Sequence, residues 1–204
     1  FIGPEIEIAL GDVDLRVREQ RLVVGADEAA DVIDVGVRTH HGVDIARLDS
    51  VKAGLRADHV FCALGTTIRK AGSQAKFRQV DFEYPRHLAQ LTRGNGARHF
   101  SLVSALGASS NSGVFYSRVK GELEDALRAM GWPSLCLLRP SVIAGERQES
   151  RPLERVGEWL LRFGPSTYRP VAAGTIAAAM IATAQHQAAG VTILESREIP
   201  RAAG

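Results

Sequence analysis

His59-Val60-Phe61-Cys62-Ala63-Leu64-Gly65-Thr66-Thr67 is a continuous apolar run that ends in a glycine–hydroxyl turn. A half-exposed strand would alternate polar and apolar side chains. A run without alternation is the pattern of a strand covered on both faces, as in a parallel sheet. Residues 98–104, 135–138 and 191–194 read the same way. Helical patterns separate these runs. Ser73 precedes a helical stretch to about Arg93, broken locally at Pro85 and stopped by Gly94-Asn95-Gly96. Residues 116–130 form an amphipathic helix that ends at Gly131, and residues 153–163 and 174–187 read as helices. Towards the N-terminus, residues 21–25 and 32–37 are short β-branched runs suited to strands, and Asp49-Ser50 can cap a short helix. Residues 4–10 suit a helix or a strand equally. Strand and helix alternate for most of the chain, which predicts an open, doubly wound α/β sheet in one domain over 1–204. Ligands of such sheets bind beyond the carboxyl ends of the strands.

Composition narrows the function classes. Of 204 residues, 45% are apolar and 24% charged, enough apolar material for a core and too much for a disordered chain. Lys plus Arg number 25 against 23 Asp plus Glu, so there is no basic excess to suggest nucleic-acid binding. Cys62 and Cys136 each sit inside an apolar run and read as buried thiols of a reducing, cytoplasmic protein. His40 and His41 are adjacent, so their side chains diverge, and no metal site is expected. No signal peptide is expected, and the densest apolar segment, residues 175–184, is too short to span a membrane.

Ser104, Tyr116 and Lys120 carry the chemistry. Tyr116-Ser117-Arg118-Val119-Lys120 places a phenol and an ammonium one helical turn apart on one face. A nearby cation favours the phenolate, which makes tyrosine a usable acid or base for carbonyl reduction or alcohol oxidation. Ser104 stands at a predicted strand end, twelve residues before Tyr116, where its hydroxyl could hold a substrate oxygen.

The stretches Phe61 to Thr67, Lys70 to Ser73, Phe77 to Asp81, Ser101 to Ala108, Phe115 to Glu122 and Leu138 to Ser141 occur in an order that resembles the short-chain dehydrogenase/reductase superfamily. The likeness is to its atypical branch of small NAD(P)H-binding members. It implies a Rossmann-like doubly wound sheet, with residues 141–204 as a small substrate-side portion. It also implies roles: Tyr116 as acid/base, Lys120 at the nicotinamide ribose, and Ser104 orienting the substrate carbonyl. Leu64, Gly65 and Thr66 would line the cofactor, and Pro140, Ser141 and Val142 would flank the nicotinamide. Each has a plainer reading. Gly65 suits a turn, Thr66 and Thr67 suit a helix cap, and Pro140 suits a strand end.

The chain departs from the family at the glycine motif. Phe1-Ile2-Gly3 resembles its last three residues, with Gly3 the final glycine, which implies that the first strand and the earlier glycines are absent. Residues 21–26 are the other candidate for the first strand, but they leave fewer residues before Val60 than the usual elements need. Arg38, after a predicted second strand, could pair with a 2′-phosphate and favour NADP (NADPH) over NAD. Asp34 suggests NAD instead.

The remaining candidates read as structural. Trp132 and Trp159 suit packing, residues 122–125 suit a solvated helix face, and Arg147, Arg151 and Arg155 suit solubility or an acidic ligand. Three functions follow from these readings. The first is an NAD(P)-dependent oxidoreductase acting on an unknown small carbonyl or alcohol. The second is a non-catalytic NADPH-binding sensor that engages a protein partner or forms a homodimer. The third is an incomplete scaffold that binds nothing.

Overall fold

The computed structural model describes the backbone of four strands before residue 36, and then residues 57–144 and 169–204. The strands are β1 (Ile6–Leu10), β2 (Val13–Val17), β3 (Arg21–Ala26), β4 (Ile33–Val35), β5 (His59–Ala63), β6 (His99–Val103), β7 (Ser134–Arg139), β8 (Ile143–Ala144), β9 (Val171–Ala172) and β10 (Gly190–Glu195). The helices are α1 (Ile68–Ala71), α2 (Gln74–Arg78), α3 (Tyr84–Gly94), α4 (Phe115–Ala129), α5 (Ala173–His186) and α6 (Ile199–Ala202). A π-turn, Gln79–Glu83, joins α2 to α3.

Six strands form one open sheet in the order β10-β7-β6-β5-β3-β4. All its pairings are parallel except β3 with β4. The Rossmann-like α/β architecture anticipated from sequence is therefore present. Two small sheets accompany it: the antiparallel pair β1–β2 and the parallel pair β8–β9.

The sheet is covered on both faces, and the pleat decides which side chain goes where. Val60, Cys62, Phe100, Leu102, Leu135 and Leu137 point to one face, against Leu88 and Leu91 of α3 and Leu123 and Leu127 of α4. Phe61, Val103, Cys136 and Leu138 point to the other, against Ile176, Ala179 and Met180 of α5. Each large side chain fully buried here contributes about 1.5–3 kcal/mol of hydrophobic stabilisation. Trp132 packs on Phe100 with ring centroids 5.1 Å apart, as a packing residue should.

The long helix read from Ser73 onward is in fact segmented. α2 is capped by Ser73, whose Oγ accepts the Lys76 amide, and the chain then widens into the π-turn before Pro85 enters the first turn of α3. Proline is tolerated there because its absent N–H is not needed.

The N-terminal third differs from the sequence reading. The strand beside β5 is β3, paired in register from Arg21 with His59 to Gly25 with Ala63. Residues 21–26 thus fill the place held to be empty. The length objection fails on the pairing itself, since β3 lies parallel beside β5 whatever number of residues separates them. The next described strand, β4, pairs antiparallel with β3, with Ala26 opposite Ile33. Within the run 32–37, residues Ile33–Val35 form a strand as expected, but an antiparallel one. Gly3, the metal-excluded pair His40 and His41, and the cap at Asp49-Ser50 lie outside the described residues, as do Arg147, Arg151, Arg155, Trp159 and the predicted helix 153–163.

Candidate functional site

The carboxyl ends of β5, β6 and β7 gather the candidate residues. After β5 the chain runs through Leu64, whose side chain is buried in the core, into Gly65 and Thr66. Leu64 can therefore meet a ligand only through its backbone. The Thr66 amide donates to Asp81 Oδ2 at 2.8 Å. Thr67 caps α1 by accepting the Lys70 amide, so of the two hydroxyls it is Thr67 that fills the capping role.

α4 presents the Tyr-x-x-x-Lys pair. Tyr116, in its first turn, is 37% exposed, and its ring centroid lies 5.6 Å from that of buried Phe77. Lys120, one turn later, is only 4% exposed, with Nζ 2.8 Å from Oδ1 of fully buried Asp81. Burial weighs against the ammonium. The Asp81 carboxylate, with smaller contributions from Tyr116 and Cys62, outweighs burial and leaves the Lys120 pKa above the ordinary lysine value. Gly65 passes over this ion pair: a Cβ there would lie 3.4 Å from Asp81 Oδ1 and 3.6 Å from Lys120 Nζ.

Ser104, after β6, is held by its amide, which donates to the Leu138 carbonyl at 2.7 Å. Its hydroxyl donates to Glu124 Oε1 at 2.6 Å. Glu124 is 1% exposed and is gripped by Arg139 and Arg128. Arg139 also reaches Glu195, and these hydrogen bonds, those to Glu124 foremost, raise its already high pKa further. The reading of residues 122–125 as a solvated face is thus corrected at Leu123, which is fully buried in the core, and at Glu124. An acidic residue near the middle of an amphipathic helix looks solvated in sequence, and only its two arginine partners make burial affordable.

The loop between β6 and α4 is fixed to the helix. The Ser109 amide donates to the Ser117 carbonyl, and a Cβ on Gly121 would stand 2.2 Å from the Ser109 carbonyl carbon and the Ser110 nitrogen. After β7, the Pro140 carbonyl accepts the Leu106 amide, Ser141 Oγ donates to the Arg169 carbonyl, and Val142 is exposed.

Gly65, Thr66 and Lys120 therefore share one spot, with Tyr116 a turn away. Ser104 and Pro140 to Val142 stand on the neighbouring strand ends. Asp81 was legible only as part of a matching stretch, with no role attached. Arg38 lies outside the described residues. β4, which precedes it, runs towards the amino ends of the parallel strands.

No protein-family profile matches the chain. The chain is 41% identical over 121 residues to protein HTATIP2 of Rattus norvegicus, covering 59% of this chain and 48% of that protein. It is 38% identical over 103 residues to protein fmp52-1, mitochondrial, of Aspergillus terreus, covering 50% of this chain and 44% of that protein. The chain thus spans about half the length of the curated relatives it matches. Several fungal relatives carry the word mitochondrial in their names, which overturns the cytoplasmic assignment drawn from the cysteines. Buried thiols report packing and do not distinguish one reducing compartment from another. No helix among the described residues is long and apolar enough to cross a membrane.

Solved structures share the fold. One is MoeE5 in complex with UDP-glucose and NAD, with TM-score 0.57 at 15% identity over 75% of this chain and 60% of that one. Another is RMD from Pseudomonas aeruginosa complexed with NADPH, with TM-score 0.54 at 16% identity over 81% of this chain and 71% of that one. The chain is thus similar in sequence to part of the HTATIP2 and Fmp52 proteins, and it shares its Rossmann-like fold with these solved structures.

Proposed function

We propose that this chain binds a nicotinamide dinucleotide at the carboxyl end of its sheet and acts as an oxidoreductase on a small carbonyl or alcohol. The observation that carries this reading is the grouping of Tyr116, Lys120 and Gly65 at one strand end. An exposed phenol beside a charged, buried ammonium suits the ribose and reacting end of such a cofactor. When bound, the cofactor supplies or accepts the hydride. Tyr116 exchanges a proton with the substrate oxygen. Lys120 holds the ribose. Gly65 and Thr66 line the cofactor through their backbone, and Pro140, Ser141 and Val142 flank the nicotinamide. Residues 141–204 form the substrate-side portion of a single domain.

The diphosphate end fits less well. Dinucleotide folds receive the pyrophosphate at a helix N-terminus that follows the first strand. Here the strand in that place is β3, and the next described element, β4, pairs with it antiparallel. The described residues furnish no counterpart of that helix. NADPH is the first ligand to test, because Arg38 favours it in sequence.

One observation favours a second reading, a binding module without turnover. A serine hydroxyl has a single proton, and that of Ser104 is given to Glu124, which leaves none for a substrate carbonyl. Tyr116→Phe separates the two. An enzyme loses cofactor turnover with a panel of small aldehydes and ketones and keeps NADPH binding. A binding module shows no turnover before or after the change.

A further inference from the structure

Asp81 is fully buried, and carboxylates are found in that condition only when paired. Its two oxygens serve two elements. Oδ2 accepts the Thr66 amide from the loop after β5. Oδ1 faces Lys120 Nζ at 2.8 Å and has no hydrogen-bond partner besides that ion pair. Asp81 reaches both from the π-turn, a feature that breaks helical register and often marks a functional position. Packing does not require this arrangement, because α3 and α4 already seat on the sheet through Leu88, Leu91, Leu123 and Leu127. Nor is a buried ion pair an efficient source of stability, since desolvation offsets most of the attraction.

We infer that Asp81 is a positioning residue, clamping the Lys120 ammonium and the Thr66 amide in one frame at the mouth of the cofactor site. The inference rests on the cofactor reading above, and it makes cofactor affinity depend on a residue that never touches the cofactor. The groups that act on Lys120 are Asp81 from the π-turn, Tyr116 from its own helix and Cys62 from β5. Asp81→Asn keeps an oxygen for the Thr66 amide and removes the fixed negative charge. Burial then acts on Lys120 nearly unopposed, and the ammonium gives up its proton at lower pH.

The test is calorimetric titration of the 204-residue chain with NADPH, at about pH 7 and about pH 9, which bracket a lysine lowered about two units by burial from its ordinary value of about 10.4. Wild type is expected to bind equally at both. D81N is expected to bind about tenfold more weakly at the lower pH, and more weakly again at the higher. Lys120→Met is expected to bind weakly with no pH dependence, and the double variant D81N/K120M no more weakly than K120M alone. Equal affinity of D81N and wild type at both pH values overturns the clamp, as does a double variant that loses the two single effects in sum. Nuclear magnetic resonance of the lysine ammonium groups keeps the test decisive if D81N does not fold, or if wild type fails to bind NADPH. The clamp predicts one slowly exchanging ammonium signal in wild type that is missing in K120M. No such signal overturns the clamp, whereas the signal without NADPH binding refutes the cofactor reading alone.

Discussion

Ser104 Oγ donates to Glu124 Oε1 at 2.6 Å, deep under the helix that carries Tyr116 and Lys120. This bond joins the loop after β6 to a charge cluster of Glu124, Arg128, Arg139 and Glu195. Removing Glu124 takes from Arg139 two of its three carboxylate hydrogen bonds, leaving Glu195, and leaves the Ser104 hydroxyl without its acceptor. Glu124→Ala should lower stability by about 3–5 kcal/mol, the range for breaking one side of a buried pair. Urea unfolding measures it. A loss no greater than that of an exposed control such as Asp125→Ala would show that the cluster does not hold the loop.

Two glycines give opposite predictions. Gly121 lies against the Ser109–Ser110 backbone, which cannot swing aside as a side chain can. Gly121→Ala should cost about 1–3 kcal/mol or more through overpacking, and it should displace the loop that bears Ser104. Gly94, in the last turn of α3, faces open space: a Cβ added there would meet nothing within 4 Å. Gly94→Ala should be neutral or stabilising by up to about 1 kcal/mol. Thermal unfolding of the two variants side by side checks the contrast.

His99 predicts an acid limb of stability. Burial first, and the neighbouring His59 second, push its pKa down to about 4. Its ring nitrogens hydrogen-bond Ser134 and Ser101 while neutral. The unfolded chain takes up a proton near the ordinary value of 6.5, and the folded chain does not until about 4. The stabilisation is therefore complete above pH 6.5 and is lost as the pH falls from there to about 4, by on the order of 3 kcal/mol. Denaturant unfolding across this window should show the slope, and His99→Gln should flatten it.

The thiols should be inert in the native state. Burial pushes Cys62 up to about 12 and Cys136 up to about 11, so neither forms appreciable thiolate at neutral pH. A colorimetric thiol reagent should label neither in native buffer and both in denaturant. Rapid native labelling of Cys62 would mean that the floor of the site, next to Lys120, opens to solvent.

The parallel core was readable because its strands are unbroken apolar runs and its helices end at glycines such as Gly131, whose φ is 64°. Tyr116 and Lys120 were readable because i, i+4 spacing fixes their common face. The place of β3 was not readable. An estimate from chain length assumes the usual order of elements, and the strand that follows β3 among the described residues pairs with it antiparallel. Asp81 and Glu124 were missed for one shared reason: a charge on a helix reads as solvated until its partners are known, and those partners, Lys120 and Arg139, come from other elements.

The most direct test is calorimetric titration of this chain with NADPH and then NADH. Micromolar binding of at least one, weakened about tenfold or more by Lys120→Met and little changed by Tyr116→Phe, is the predicted result. A folded chain that binds neither, or binding indifferent to Lys120, would contradict a cofactor site at the carboxyl end of β5.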